Sequence, residues 1–327
     1  MRGDGCDTDS LSVAGLDIES PIGEGLRAAF ADEVHVGCII EKYKSDYGLD
    51  VSSYFGSRQA VKVYRCCRTG YRFYYPHNLA GREDLYAALQ QRPGYYRFKW
   101  EHQIALRYVH AGENVLEVGC GGGLFLEQLK LRGIDGLGLE LSSDAVAEAA
   151  KRGVTVRRAL LAEHASEGTV HDAVCAFQVL EHVPCVGAFI KDALTVLKPG
   201  GAFIVGVPNS NPYLYRYEKD HTLNLPPHHM GLWDVSALRN ITSIFGLRLK
   251  ALHVEPLRAE EYAHYYALAT KHAPTPAGRL FAAAMAAVPK LLFSRSLSAA
   301  ARAAIGHLCQ GRNLLAIYEK GGQPVRV

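Results

Sequence analysis

The chain has 327 residues, 48% hydrophobic and 21% charged, with 36 basic side chains against 33 acidic. That length suits one large α/β domain or two modest ones with ample core. The near balance of charge excludes a dedicated nucleic-acid binder, which needs a dense basic face. The longest apolar stretch, Leu280 to Phe293, contains Pro289 and Lys290 and is too short to cross a bilayer. Met1 to Ser10 is acidic and lacks the apolar core of a signal peptide, so a cytoplasmic protein is expected. Eight cysteines are too sparse for a disulfide framework at this length and fit a reducing compartment.

In chain order, residues 1 to about 35 show little periodicity and read as a loosely ordered lead or a short helical arm. Val61 to Pro76, rich in β-branched and aromatic residues with Gly70 at a turn, reads as a hairpin. Arg82 to His110 has helical spacing of apolar residues, broken into two helices at Pro93-Gly94. From Asn114 strands and helices alternate. NVLEVGC, GLGLEL, VTVRRAL, DAVCAF and AFIVGVP are strands, and the helices between them include LFLEQLKLRG, a helix capped by Ser142 or Ser143, and one closed by Pro-Gly-Gly. This rhythm predicts βαβ units and a Rossmann-like, doubly wound, mostly parallel α/β sheet. A loop over Asn209 to Met230, a helix over Val235 to Phe245, and strands LRLKALHVEP and NLLAIYEK follow. The implied organisation is an N-terminal arm and hairpin over 1–80, a main domain over 81–256 and 313–327, and a helical insertion over 257–312.

The chemistry-bearing motif is Glu117-Val118-Gly119-Cys120-Gly121-Gly122-Gly123, where the first strand of the alternating region meets its helix. Glycines there let a ligand approach the backbone, and the helix offers unpaired N–H groups. The spacing is G-x-G-x-G; Leu124 stands where a dinucleotide motif has its last glycine. Glu140 ends the second strand, 21 residues after Gly119, where a carboxylate can accept both hydroxyls of a ribose. Glu117 would repel a pyrophosphate but suits a cofactor carrying an ammonium and a sulfonium.

With these residues the sequence resembles class I S-adenosylmethionine-dependent methyltransferases, through VLEVGCGGG, GLELS, FQVLEHV, LKPGG and VPN in register. The resemblance implies a seven-stranded sheet of order 3-2-1-4-5-7-6 with strand seven antiparallel. YYRFKWEH and LNLPPHHMGLW resemble a bacterial branch associated with glycan and secondary-metabolite pathways. Many of its members begin with a zinc ribbon of two C-x-x-C pairs. Here Cys38 is followed by Glu41 and Cys66 by Thr69, so the ribbon is degenerate and the hairpin is expected without metal.

The resemblance assigns Glu117, Gly119, Cys120, Gly121, Gly123 and Phe125 to the methionine side of the cofactor, and Glu140 with Leu141 to ribose and adenine. Leu160 follows strand three beside the adenine, and Gln178 and Val179 line the floor beneath the sulfonium. S-adenosylhomocysteine is the implied product. Methyl transfer to an alcohol needs alignment and a proton acceptor; His229 and His182 are the candidates, a neutral imidazole being suited to the task near neutral pH. Tyr96, Asn209, Tyr213, Tyr215 and His228 are the candidate acceptor-side residues. FQVLEHV also resembles the region where ubiquinone-pathway O-methyltransferases bind a divalent cation; Gln178 stands in place of an acidic ligand, leaving Glu181 and His182, so a metal there is disfavoured and a histidine base is the expectation.

The expected acceptor is a small-molecule or carrier-linked hydroxyl of a sugar, glycan or natural-product intermediate. No nucleic-acid partner and no membrane span are expected. The insertion suits a lid, a homodimer contact, or a membrane-surface contact through 276–305, where Arg279, Lys290, Arg295 and Arg302 lie beside Leu280, Phe281 and Leu291 to Phe293. A non-catalytic cofactor-binding partner and a nicotinamide oxidoreductase are the competing functions.

Overall fold

The computed structural model describes residues 18–92, 97–211, 221–257, 261–273, 275–280 and 310–321. An N-terminal sheet is built from β1 (Ile18–Glu19), β2 (Arg27–His35), β3 (Ala60–Cys66) and β4 (Arg72–Tyr75), with helix α1 (Val36–Tyr47) between β2 and β3. Helices α2 (Glu83–Gln90) and α3 (Trp100–Ala105) lead into the alternating region. There β5 (Asn114–Val118), α4 (Leu124–Leu131), β6 (Asp135–Leu139), α5 (Ser143–Lys151), β7 (Thr155–Arg157), α6 (Leu161–Ala165), β8 (His171–Phe177), α7 (Val186–Thr195) and β9 (Leu197–Pro208) follow in turn. After these come β10 (Gly231–Leu232), α8 (Val235–Asn240), α9 (Thr242–Phe245), β11 (Leu247–Pro256), α10 (Tyr262–His272) and β12 (Gln310–Lys320).

The larger sheet has the order β11-β12-β9-β8-β5-β6-β7. β5 pairs in parallel with β6 and β8, while β12 runs antiparallel to both β9 and β11. This is the strand order implied by the family resemblance. NVLEV reads as a nearly continuous apolar run because β5 is central and covered on both faces. The Ser142 hydroxyl accepts the Ala145 N–H at 3.3 Å, which fixes the start of α5. On one face of this sheet Val115, Phe125, Leu129, Cys175 and Ile317 pack together; on the other, Leu116, Val174, Phe203 and Tyr318 share a core with Tyr64, Tyr71 and Phe73 of the N-terminal sheet. The two sheets are thus joined through apolar side chains.

Residues 18–35 differ from the expected loose or helical lead, since residues 27–35 form β2, a full strand between β1 and β3. A register shift between Phe30 and Asp32 breaks its alternation of inward and outward side chains, which hides the strand from a period-two reading. Val61 to Pro76 is the expected hairpin, with Gly70 in the left-handed region at φ 79°. The cysteines that the ribbon resemblance brought together lie on different elements, Cys38 exposed on α1 and Cys66 buried at the end of β3. The Pro-Gly-Gly expected to close a helix falls inside β9, because α7 already ends at Thr195.

The N-terminal sheet also extends past residue 80. β10 pairs with β4, Gly231 opposite Phe73 and Leu232 opposite Arg72, so the order is β1-β2-β3-β4-β10. Within the insertion α10 is described, whereas the basic and apolar stretch from Phe281 to Arg302 lies outside the described residues. No helix among the described residues is long and apolar enough to cross a membrane.

Candidate active site

Three glycines of the loop after β5 sit in the left-handed region, Gly119 at φ 70°, Gly121 at φ 51° and Gly123 at φ 77°. Sterics also demand glycine at the ends of the loop. A Cβ on Gly119 would stand 2.6 Å from Val179 Cγ2, and one on Gly123 2.6 Å from Val154 Cγ2. The Gly119 and Cys120 N–H groups both donate to the Leu139 carbonyl, at 2.8 and 3.2 Å, binding the loop to the end of β6. Cys120 is buried, and its thiol occupies the space where Gly138 lacks a side chain.

Two carboxyl groups flank this loop. Glu117 is 3% exposed and its Oε2 has no hydrogen-bond partner. Burial, and secondarily the charge of Glu140, push its carboxyl well above the usual range. A buried acid with an orphaned oxygen at the floor of a glycine loop fits a cationic group such as the ammonium of S-adenosylmethionine. Glu140 is held by the backbone: Oε2 accepts the Gly121 N–H at 2.8 Å, and Oε1 accepts those of Leu141 and Ser142 at 2.8 and 2.9 Å. A carboxylate has about four acceptor sites, so one remains on Oε2 for a hydroxyl. Leu141 and Leu160, 53% and 51% exposed at neighbouring strand ends, offer an apolar seat suited to a flat ring. The residues present therefore fit the donor.

Phe125 belongs to the support of the loop: it is buried against Phe177 and His102, with ring centroids 4.9 and 5.7 Å away, and anchors α4 to the sheet. Gln178 is the only described residue other than glycine with positive φ, 56°. Its N–H donates to the Gly206 carbonyl at 2.7 Å and its side chain to Asn313 Oδ1 at 3.3 Å. Such strain, held in place by bonds to β9 and β12, turns the chain sharply and places Val179 over Gly119.

Beyond Val179 the same turn carries His182, whose ring meets those of His228 and His229 at centroid distances of 4.5 and 4.9 Å; the latter two stack at 4.7 Å. The Glu181 carbonyl joins the loops by accepting the N–H groups of Met230 and Gly231 at 2.7 and 2.9 Å. His182 Nδ1 lies 2.7 Å from the His228 carbonyl, and His228 Nδ1 lies 2.9 Å from the Leu223 carbonyl. Carbonyls only accept, so both Nδ1 atoms carry the proton and both Nε2 atoms present a lone pair. Burial lowers His182 to about 4, and burial with neighbouring imidazoles holds His228 and His229 well below the ordinary value. All three rings are neutral near pH 7.

Sequence reasoning had singled out these three histidines, and the structure gathers them into one cluster. Asn209 is fully buried, its side chain donating to the Gly311 carbonyl at 3.1 Å and accepting the Asn211 N–H at 3.2 Å. It ties the end of β9 to β12. Tyr96, Tyr213 and Tyr215 lie outside the described residues. Tyr86 and Tyr43 are contributions that the sequence does not signal. The Tyr86 hydroxyl donates to the His228 carbonyl at 3.3 Å, and the Tyr43 hydroxyl accepts the His228 N–H at 3.3 Å while donating to the Leu225 carbonyl at 2.9 Å. Both hold the histidine loop from the N-terminal region.

Comparison with known proteins gives the same reading of the cofactor side. A methyltransferase-domain family model matches residues 89–252, half of the chain. The ubiquinone biosynthesis O-methyltransferase of Pseudomonas savastanoi is 30% identical over 164 residues, covering 43% of this chain and 71% of that protein. The protein of the same name from Acinetobacter baylyi is 31% identical over 186 residues, 49% of this chain and 74% of that protein. Among solved structures, a SAM-dependent methyltransferase from Archaeoglobus fulgidus aligns with a TM-score of 0.44 at 18% identity, over 67% of this chain and 90% of that one. The family match favours a methyltransferase over the nicotinamide oxidoreductase. The chain belongs to the methyltransferase-domain family, as an enzyme that uses S-adenosylmethionine and releases S-adenosylhomocysteine.

Proposed function

We propose that the protein methylates a hydroxyl oxygen of a sugar, glycan or natural-product intermediate, free or carrier-linked, by in-line displacement. The observation that carries this reading is the cluster of neutral histidines at the carboxyl end of β8, adjoining the Val179 wall of the glycine loop. S-adenosylmethionine, when bound, supplies a methyl group already activated by its sulfonium. Glu117 holds the ammonium end, Glu140 a ribose hydroxyl, and Leu141 and Leu160 the adenine. The glycines permit backbone contact that any Cβ would prevent, and Gln178 with Val179 forms the floor.

On the acceptor side, His182 and His229 offer lone pairs near the transfer path. A weak base is sufficient there. As the acceptor oxygen forms its bond to the methyl carbon it gains positive charge, and its proton becomes strongly acidic. The names of the relatives, ubiquinone biosynthesis O-methyltransferases, support oxygen as the methylated atom.

The test is S-adenosylhomocysteine formation against a panel of phenols, glycosides and nucleotide sugars, with kcat measured for His182→Gln and His229→Gln. Loss of about a hundredfold in kcat in at least one variant, with S-adenosylhomocysteine affinity kept, is expected. Undiminished turnover in both variants, or methylation only of nitrogen or carbon acceptors, would sink the reading.

A further inference from the structure

The histidine cluster has a property that a proton acceptor does not require. Its donor atoms converge: one ring nitrogen from each of His182, His228 and His229 lies within 4.8 Å of the other two. His228 Nε2 and His229 Nδ1 are buried without any hydrogen-bond partner. Both oxygens of the buried Glu181 carboxyl also lack a partner, and Oε1 lies 3.8 Å from His182 Nε2. Buried imidazole nitrogens left unpaired on two of three converging rings, with an unpaired buried carboxyl next to His182, are unusual in a protein interior, where buried polar atoms nearly always find partners.

We propose that His182, His228 and His229 bind a divalent first-row transition metal of the zinc class, through Nε2 of His182, Nε2 of His228 and Nδ1 of His229, with Glu181 beside them. Imidazole nitrogens suit zinc, cobalt, nickel and iron rather than magnesium or calcium. Zinc–nitrogen bonds of about 2.0 Å require ligand separations of about 3.3 Å in a tetrahedron. The present spacing, within 4.8 Å, would contract to that value on binding.

The outer contacts are those of a metal site. His182 and His228 each donate Nδ1–H to a backbone carbonyl, which fixes the tautomer and aims Nε2 inward. The backbone around His228 is secured in turn by Tyr43 and Tyr86. Two of the three ligands come from the loop after β9, so this set differs from the Gln178, Glu181 and His182 positions singled out by resemblance. The site deepens the acceptor-side reading and rests on it only for the role of the metal: once these lone pairs hold an ion, the ion would take over from His182 and His229 the task of acidifying the acceptor hydroxyl.

The experiment uses the full-length, untagged protein, stripped with chelator and titrated with Co2+ while its visible absorption is followed. Uptake of one equivalent, with bands of a low-coordinate ion that Zn2+ abolishes, is expected. His228→Ala and His229→Ala should each weaken Co2+ binding by at least about tenfold, whereas His110→Ala, at an exposed turn, should leave it unchanged. The unsubstituted protein should also melt at a higher temperature with Zn2+ than without, a measurement independent of whether the variants fold. Absence of saturable Co2+ and Zn2+ uptake by the unsubstituted protein overturns the proposal, as does undiminished uptake in both histidine variants. Titration of the same samples with S-adenosylhomocysteine reports separately on the donor site, and the acceptor panel on hydroxyl methylation, so a failed metal site is distinguishable from a failed function.

Discussion

Between Glu117 and Phe125 one uninterrupted stretch supplies the loop, the buried acid and the helix start of the proposed donor site, whereas the proposed acceptor side collects His182 from one loop and His228 and His229 from another, held by tyrosines of α1 and α2. The first arrangement depends on backbone conformation, the second on packing between distant segments. A single added methyl group should therefore destroy the donor site, while the acceptor side should lose strength by degrees.

The largest effect is expected for Gly119→Ala. Its Cβ meets Val179 Cγ2 at 2.6 Å, and its positive φ adds about 1–2 kcal/mol of strain. S-adenosylhomocysteine affinity should fall by at least about a hundredfold in a calorimetric titration. Gly112→Ala, also at positive φ but with nothing within 4 Å of the added Cβ, should cost about 1 kcal/mol of stability and no affinity. Equal behaviour of the two variants would refute the claim that the loop is shaped by close approach.

A middle effect is expected for Asp234→Ala. Its carboxylate accepts the Ala237 N–H at 2.8 Å to cap α8 and lies 3.9 Å from Arg72 of β4, both side chains 10% exposed. Losing the cap and one member of a largely buried pair should cost about 2–4 kcal/mol in urea unfolding. Affinity for S-adenosylhomocysteine should remain within about twofold, since none of these groups touches the glycine loop. A fall in affinity comparable to that of Gly119→Ala would mean that the two halves are not separable.

The smallest effect lies at the amino end of β8, away from both halves. His171 is buried, with Nε2 at 2.9 Å from His164 Nε2 and Nδ1 at 3.1 Å from Asn114 Oδ1, and burial lowers it to about 4. Its folded pKa lies below the ordinary 6.5. The unfolded chain therefore binds the proton first, and stability falls as pH drops from 6.5 towards 4. His171→Gln should flatten that limb relative to the unsubstituted protein, with little change at pH 7.5, when denaturant midpoints are compared across pH. An unchanged acid limb would contradict the assignment.

Much of the larger sheet was legible because its strands are buried on both faces and separated by helices with ordinary start and stop signals. The glycine loop was legible for the same reason that it is fragile: its residues are contiguous, from Glu117 to Phe125. β2 was not, because a register shift between Phe30 and Asp32 disrupts its pattern. Neither was the sharp turn at Gln178, a side chain that gives no warning of positive φ. The His228-His229 pair was conspicuous in the sequence, but its meeting with His182 depends on the Glu181 carbonyl gathering two amides from a loop almost fifty residues later. Nothing local encodes that contact.

Met230 stands at the seam of the molecule. Its N–H donates to Glu181 of the larger sheet's loop, while its carbonyl accepts the Tyr74 N–H of β4 at 2.9 Å, and Gly231 and Leu232 then continue as the edge strand of the N-terminal sheet. The wall proposed to face the acceptor is thus tied to the first sheet. Exchanging acceptor preference between related enzymes by recombination would require residues 18–92 and 221–234 to travel as one cassette, and a crossover that separated them would leave an edge strand without its template.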